Sequence, residues 1–209
     1  MNAMTSLGNG LHSADRIGDA LCVEEAELAT FRRIGASGDL ILATQNNLAI
    51  SYDALGRSEQ ALQLKRDVYS GRLKVNGEEH NQTLIAANNY VASLVVLKHF
   101  AEAKALLRKT MPMVRRNFGE SNELTLGMRA NYAAALCRDD GATLDDFREA
   151  VATLEDTERI TRRVFGSMHP FTIRIGKSLK TSRAILSARD RGDVESLREA
   201  FEAMTPGDA

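Results

Sequence analysis

Between residues 39 and 55 the apolar and polar positions follow a helical period. On a wheel of about 100° per residue, Ile41, Leu48, Tyr52 and Leu55 fall between about 180° and 240°. Asp53, Asn46, Ile50, Ala43 and Asn47 fill the arc from about 340° to 100°. The first group is the predicted core face of an amphipathic helix, and the second group looks away from it. The pattern then recurs. Asn46-Asn47-Leu48 returns as Asn88-Asn89-Tyr90 and Ala130-Asn131-Tyr132, and Thr83-Leu84 returns as Thr125-Leu126, each 42 residues later. A further step of 47 lands on Thr172-Ile173 and Lys177-Ser178-Leu179. A repeat of that length, with no strand-like alternation, predicts stacked helical hairpins, each with a helix A and a helix B.

Glycines punctuate the ends of the B helices at Gly35, Gly77, Gly119 and Gly166. A glycine just past a helix supplies the left-handed residue that closes it. The extra length of the last full unit falls between Cys137 and Thr143, and Thr143 with Asp146 reads as a capping box. The predicted helices span about 14–34, 39–55, 58–76, 81–97, 100–118, 122–138, 143–165, 170–190 and 193–204. Ser58 and Asp193 are the expected N-caps, and Pro170 sits in a first helical turn. The array is expected to occupy 13–204 as one elongated domain, with units at about 14–38 (partial), 39–79, 80–121, 122–168 and 169–204 and a tail at 205–209. Residues 1–12, rich in Gly, Asn and Ser, are expected to be disordered. The first unit then lacks its A helix, so Leu21, Ala26, Leu28 and Phe31 would form an open apolar edge for a second copy, unless the gene model is truncated there.

Composition narrows the chemistry. The 209 residues include 27 basic and 28 acidic side chains, so nothing draws the chain generically to nucleic acid or to a membrane surface. Three prolines, no Trp and an aromatic share of 5% argue against a β-sandwich. Cys22 and Cys137 stand apart from each other and from any His, which fits buried apolar roles in a reducing compartment. No apolar run reaches membrane-spanning length and Met1 to His12 has no signal-peptide pattern, so a cytoplasmic location is expected. His12, His80, His99 and His169 have no metal-ligand spacing, and no cofactor motif is present; His80 and His169 are expected to shape turns between units. Asp139, Asp140, Asp145 and Asp146 do not follow calcium-loop spacing and read as loop and capping residues. An enzyme using Asp145, Asp146 and a His is the contrasting reading; no catalytic residue is assigned.

The run Asn46-Asn47-Leu48-Ala49, Tyr52, Gly56-Arg57 and Ala61 resembles the 42-residue tetratricopeptide repeat of kinesin light chains and their relatives. His169-Pro170 with Thr172, and Ala101-Glu102-Ala103, match the same pattern. The entry is altered to His80-Asn81 and Asn122-Glu123, and the third unit lacks the Gly-Arg turn and keeps one of the paired asparagines. No heptad segment precedes the repeats, so the resemblance points to a stand-alone relative and not to a motor subunit. It implies an all-α fold, a right-handed α-solenoid of antiparallel helical hairpins, and a non-enzymatic scaffold that binds proteins.

In such a superhelix the A helices line the concave side, so the polar arc would be a groove. Its equivalents are Ile85, Asn88, Asn89, Ala92 and Val95; then Gly127, Ala130, Asn131, Ala134 and Cys137; then Arg174, Lys177, Ser178, Thr181 and Ala184. Amide side chains both donate and accept, which suits an extended peptide backbone of any sequence. The candidate peptide-binding residues are therefore Asn46, Asn47, Ile50, Asn88, Asn89 and Asn131. Arg174 and Lys177 would hold an acidic side chain or a terminal carboxylate. The alternative for the amides is that one of each pair bonds to the neighbouring repeat and holds the stacking.

Overall fold

A computed structural model describes residues 3–193 of the chain. Among these residues there are nine helices and no strand: α1 (Ala3–Ser13), α2 (Ile17–Arg33), α3 (Gly38–Ala54), α4 (Ser58–Asn76), α5 (Asn81–Val96), α6 (Phe100–Phe118), α7 (Glu123–Cys137), α8 (Leu144–Phe165) and α9 (Pro170–Arg191). The helix expected at 193–204 and the tail at 205–209 lie outside the described residues. The chain divides between Ser93 and Leu94 into two compact units.

Local chemistry accounts for most boundaries. Gly77, Gly119 and Gly166 close α4, α6 and α8 with φ of 81°, 85° and 88°, a region that costs other residues steric strain. Thr143 and Asp146 form the expected capping box on α8, and Pro170 opens α9. Ser58 is the first helical residue of α4, and Arg57 occupies the N-cap without a side-chain bond.

In the first unit, α3 packs on both α2 and α4. Leu42, Val68 and Ala86 form a buried cluster with Tyr69 against it. The core stripe of α3 is rotated from the expected one: Leu42, Leu48 and Ala49 are buried, Ile41 and Tyr52 are half-buried, and Leu55 caps the helix and is 42% exposed. Helix α4 approaches so closely that a Cβ on Gly71 would lie 2.5 Å from Leu42 Cδ2.

Two expectations fail at the N-terminal end. Residues 3–13 form helix α1, which packs on α2 in the place of the missing A helix. Met4, Leu7 and Leu11 recur at helical spacing in this segment, with Met4 and Leu11 half-buried, and polar groups add to the docking. Thr5 donates to Glu27 Oε1 at 2.6 Å, and His12 Nε2 lies 3.1 Å from Glu24 Oε1. The edge is therefore covered in this structure: Leu28 and Phe31 are buried, Leu21 is half-buried and Ala26 is exposed. Cys22 is also exposed, contrary to its expected apolar role, because it lies on the face of α2 away from the core.

In the second unit α7 packs on α6 and α8, and α8 packs on α9. Leu126, Leu136, Phe147, Leu154, Ile175 and Ile185 lead its buried core. Arg189 reaches over the Phe147 ring at 4.5 Å and donates to the Ala142 carbonyl, tying α9 to the extra loop before α8.

Candidate peptide-binding faces

In the first unit the polar arcs of α3 and α5 carry Asn46, Asn47, Asn88 and Asn89, all half-buried, with Ile50 and Ile85 46% and 42% exposed. The amides are not equivalent. Asn89 Nδ2 donates to Asn46 Oδ1 at 3.0 Å, joining consecutive A helices. Asn88 Oδ1 is buried without a hydrogen-bond partner. Asn46 and Asn89 thus bond to each other across the repeats, as the stacking alternative expects of one amide in each pair, and the Asn88 oxygen has no such bond.

In the second unit a cleft of about 130 Å³ opens between α7 and α9. Its walls include Ala130, Ala134 and Cys137 from α7 and Lys177, Ser178 and Thr181 from α9, all repeat-equivalent positions of the polar arc. Arg138 and Ser182 also line it. The sequence reading missed both, Arg138 because it is the C-cap of α7 and Ser182 because it lies one residue past the arc. The Cys137 thiol donates to Ser182 Oγ at 3.4 Å, and burial pushes its pKa up, so it stays a neutral thiol. Asn131 is half-buried, and Arg174 is exposed with its guanidinium 5.0 Å from the Phe171 ring centre. Arg138 and Lys177 are exposed, and neither has an ion-pair partner among the described residues. Arg148, Arg159, Arg162 and Arg183 by contrast all meet carboxylates.

A second opening of about 460 Å³ lies along α6, lined by Leu107, Arg108, Met111, Pro112 and Arg115 with Tyr132 of α7. In the first unit Tyr69, at the repeat position of Met111, stacks against Tyr90 with ring centres 6.2 Å apart. The cations beside the α6 opening are engaged, Arg108 with the Tyr132 hydroxyl and Arg115 with Glu120.

The expected turn histidines have that role: His80 accepts from the Gln82 N–H, and His169 caps α9 and stacks on Phe165. Asp146 is held below the usual carboxylate range by the Thr143 hydroxyl and N–H, and Asp145 pairs with Arg148. Among the described residues no three His, Cys, Asp or Glu are grouped to hold a metal ion, and no helix is long and apolar enough to cross a membrane.

Residues 41–82 match a family model described as tetratricopeptide repeat. Among curated proteins none matches the sequence. Solved structures resemble the fold throughout. The crystal structure of a glutamine-to-methionine variant of nearly identical tetratricopeptide-like repeats, from a kinesin light chain-type protein of Podosopora anserina, aligns with a TM-score of 0.73 at 19% identity, covering 96% of this chain and 92% of that one. A second structure of those repeats gives 0.70 at 20% identity, covering 97% and 92%. BtubC (BKLC) from P. vanneervenii gives 0.71 at 16% identity, covering 96% and 76%. Residues 41–82 thus carry a tetratricopeptide repeat, and the described residues share the all-α solenoid fold of kinesin light chain-like repeat arrays.

Proposed function

We propose that the chain is a non-enzymatic scaffold that holds an extended peptide or a partner helix against the polar faces of its A helices. Tetratricopeptide folds serve protein–protein binding as a class, and the carboxylates of the contrasting enzyme reading are occupied, Asp145 in an ion pair and Asp146 in a helix cap. The observation that carries the finer reading is the α7–α9 cleft: six of its lining residues are repeat-equivalent positions of one helical arc, and its two cations lack carboxylate partners among the described residues. Such cations favour an acidic residue or a free carboxylate at the docked end of the ligand. Asn131 and Arg174 belong to the same arcs of α7 and α9, outside the cleft lining. In the first unit Asn47 and the exposed Ile50 offer amide and apolar contacts, Asn88 would contribute its buried acceptor only on turning outward, and Asn46 and Asn89 bond to each other. The α6 opening is the poorer candidate, because one helix supplies nearly all of its wall and its arginines are already engaged.

The test is a peptide array of varied sequence probed with the full chain and with the Arg138→Glu/Lys177→Glu double variant. The reading expects selection of peptides with an acidic residue or a free C-terminus, and a loss of tenfold or more on charge reversal that shrinks in high salt. Equal binding by parent and variant to every selected peptide would overturn it.

A further inference from the structure

The seat of α1 is built from polar groups reaching full burial. Glu24 and Glu27 of α2 are 2% and 1% exposed. Glu24 receives Ser51 Oγ of α3 at 2.5 Å and His12 Nε2 at 3.1 Å, and Ser51 lies 2.9 Å from the same His12 nitrogen. Glu27 receives Thr5 at 2.6 Å, with Thr44 of α3 at 3.4 Å on its other oxygen. Gly8 is the one buried residue of α1, and a Cβ there would already stand 3.6 Å from the Glu24 stem. Thr5, Gly8 and His12 are spaced by three and four residues and so share one face of the helix. Thr5 and His12 supply what the two carboxylates need, and a side chain at Gly8 longer than a methyl group would press on the Glu24 stem. The seat therefore selects a helix that presents Thr and His to its two buried carboxylates.

Two further features bear on whose helix sits there. Residues 14–16 are the whole connection from α1 to α2, and within it Asp15 takes φ 57°, a left-handed conformation that glycine adopts without penalty. Helix α1 itself contains Gly8 and Gly10, which lower its own propensity, and its apolar residues are incompletely buried, Leu7 being 53% exposed and Met4 and Leu11 half-buried. We propose that the seat also takes α1 from a second copy of this chain, giving an exchanged dimer. The contacts are the same in both forms, an extended connection releases the left-handed Asp15, and concentration decides between them. This proposal does not depend on the peptide-binding faces.

Complementation tests it. One full-length variant keeps α1 but loses the seat (Glu24→Ala/Glu27→Ala); the other keeps the seat but loses the helix face (Gly8→Leu/His12→Ala). Light scattering on a sizing column should find each variant monomeric alone and a one-to-one heterodimer in the mixture, while the parent dimerises as concentration rises. A mixture that stays monomeric with both variants folded by circular dichroism overturns the proposal, as does dimerisation of either variant alone. Should a variant lose its helix content, deleting Ala14 and Asp15 from the parent decides instead: the shortened connection prevents folding back, so a dimer is expected, and a folded monomer overturns the exchange. Asp15→Gly should weaken dimerisation by about tenfold, because it relieves the hinge in the monomer.

Discussion

Asn89 of α5 donates a hydrogen bond to Asn46 of α3 at 3.0 Å, while the adjacent Asn88 leaves its side-chain oxygen buried and unpartnered. Two residues that look alike in sequence thus have opposite accounts: one amide fixes the spacing of successive A helices, and the other carries the desolvation cost of an unpaired acceptor.

Stability should separate them. Asn46→Ala removes the acceptor for Asn89 and should cost about 0.5–1.5 kcal/mol. Asn88→Ala removes an unsatisfied oxygen and should be neutral or slightly stabilising. Urea unfolding of the two single variants checks this; equal losses would mean that the inter-repeat bond does not form in solution.

A side chain at Gly71 should be destabilising. A Cβ 2.5 Å from Leu42 Cδ2 must push α4 from α3 or force Leu42 off its rotamer. Overpacking of this kind costs about 1–3 kcal/mol, more than the helix propensity that alanine would add. Gly71→Ala should therefore lower the unfolding midpoint although alanine is the better helix former, and its loss should shrink when measured in a Leu42→Ala background if the clash is the cause.

Acid should loosen the second unit at a defined contact. Asp139 accepts from Lys104 at 2.7 Å and from the Gly141 N–H, and these bonds hold its carboxyl below the ordinary aspartate value of 3.8. A depressed carboxylate pKa contributes stability that is fully present above 3.8 and disappears as pH falls through the lower folded value. Lys104→Met should be less stable than the parent at neutral pH and converge with it in acid. Parallel curves for the two proteins across that range would show that the pair contributes nothing.

The two thiols should react at very different rates. Cys22 is exposed, whereas Cys137 is buried, bonded to Ser182 and raised in pKa by burial. A chromogenic disulfide reagent in mildly alkaline buffer should label Cys22 promptly and Cys137 only on unfolding. A peptide docked between α7 and α9 should slow Cys137 labelling further, and Cys22→Ser should abolish the fast phase.

Much of this protein is legible in the chain because its information is local and repeated. The interval of 42 between Asn46 and Asn88 and between Gly77 and Gly119, and the capping box at Thr143 and Asp146, fix the hairpins and their ends through interactions spanning a few residues. The helical class of residues 14–191 follows from them. What tertiary structure decided depends on partners distant in sequence. Helix α1 offers only Met4, Leu7 and Leu11 among glycines and polar residues, and it forms against Glu24 and Glu27, carboxylates that composition alone places on a surface. Leu42 is buried where α4 passes close at Gly71 while Leu55 at the helix end is exposed, and a wheel of α3 alone contains no neighbour. Arg138 and Lys177 meet at one cleft although 39 residues separate them, because helix packing, not spacing in the chain, brings the end of α7 beside α9.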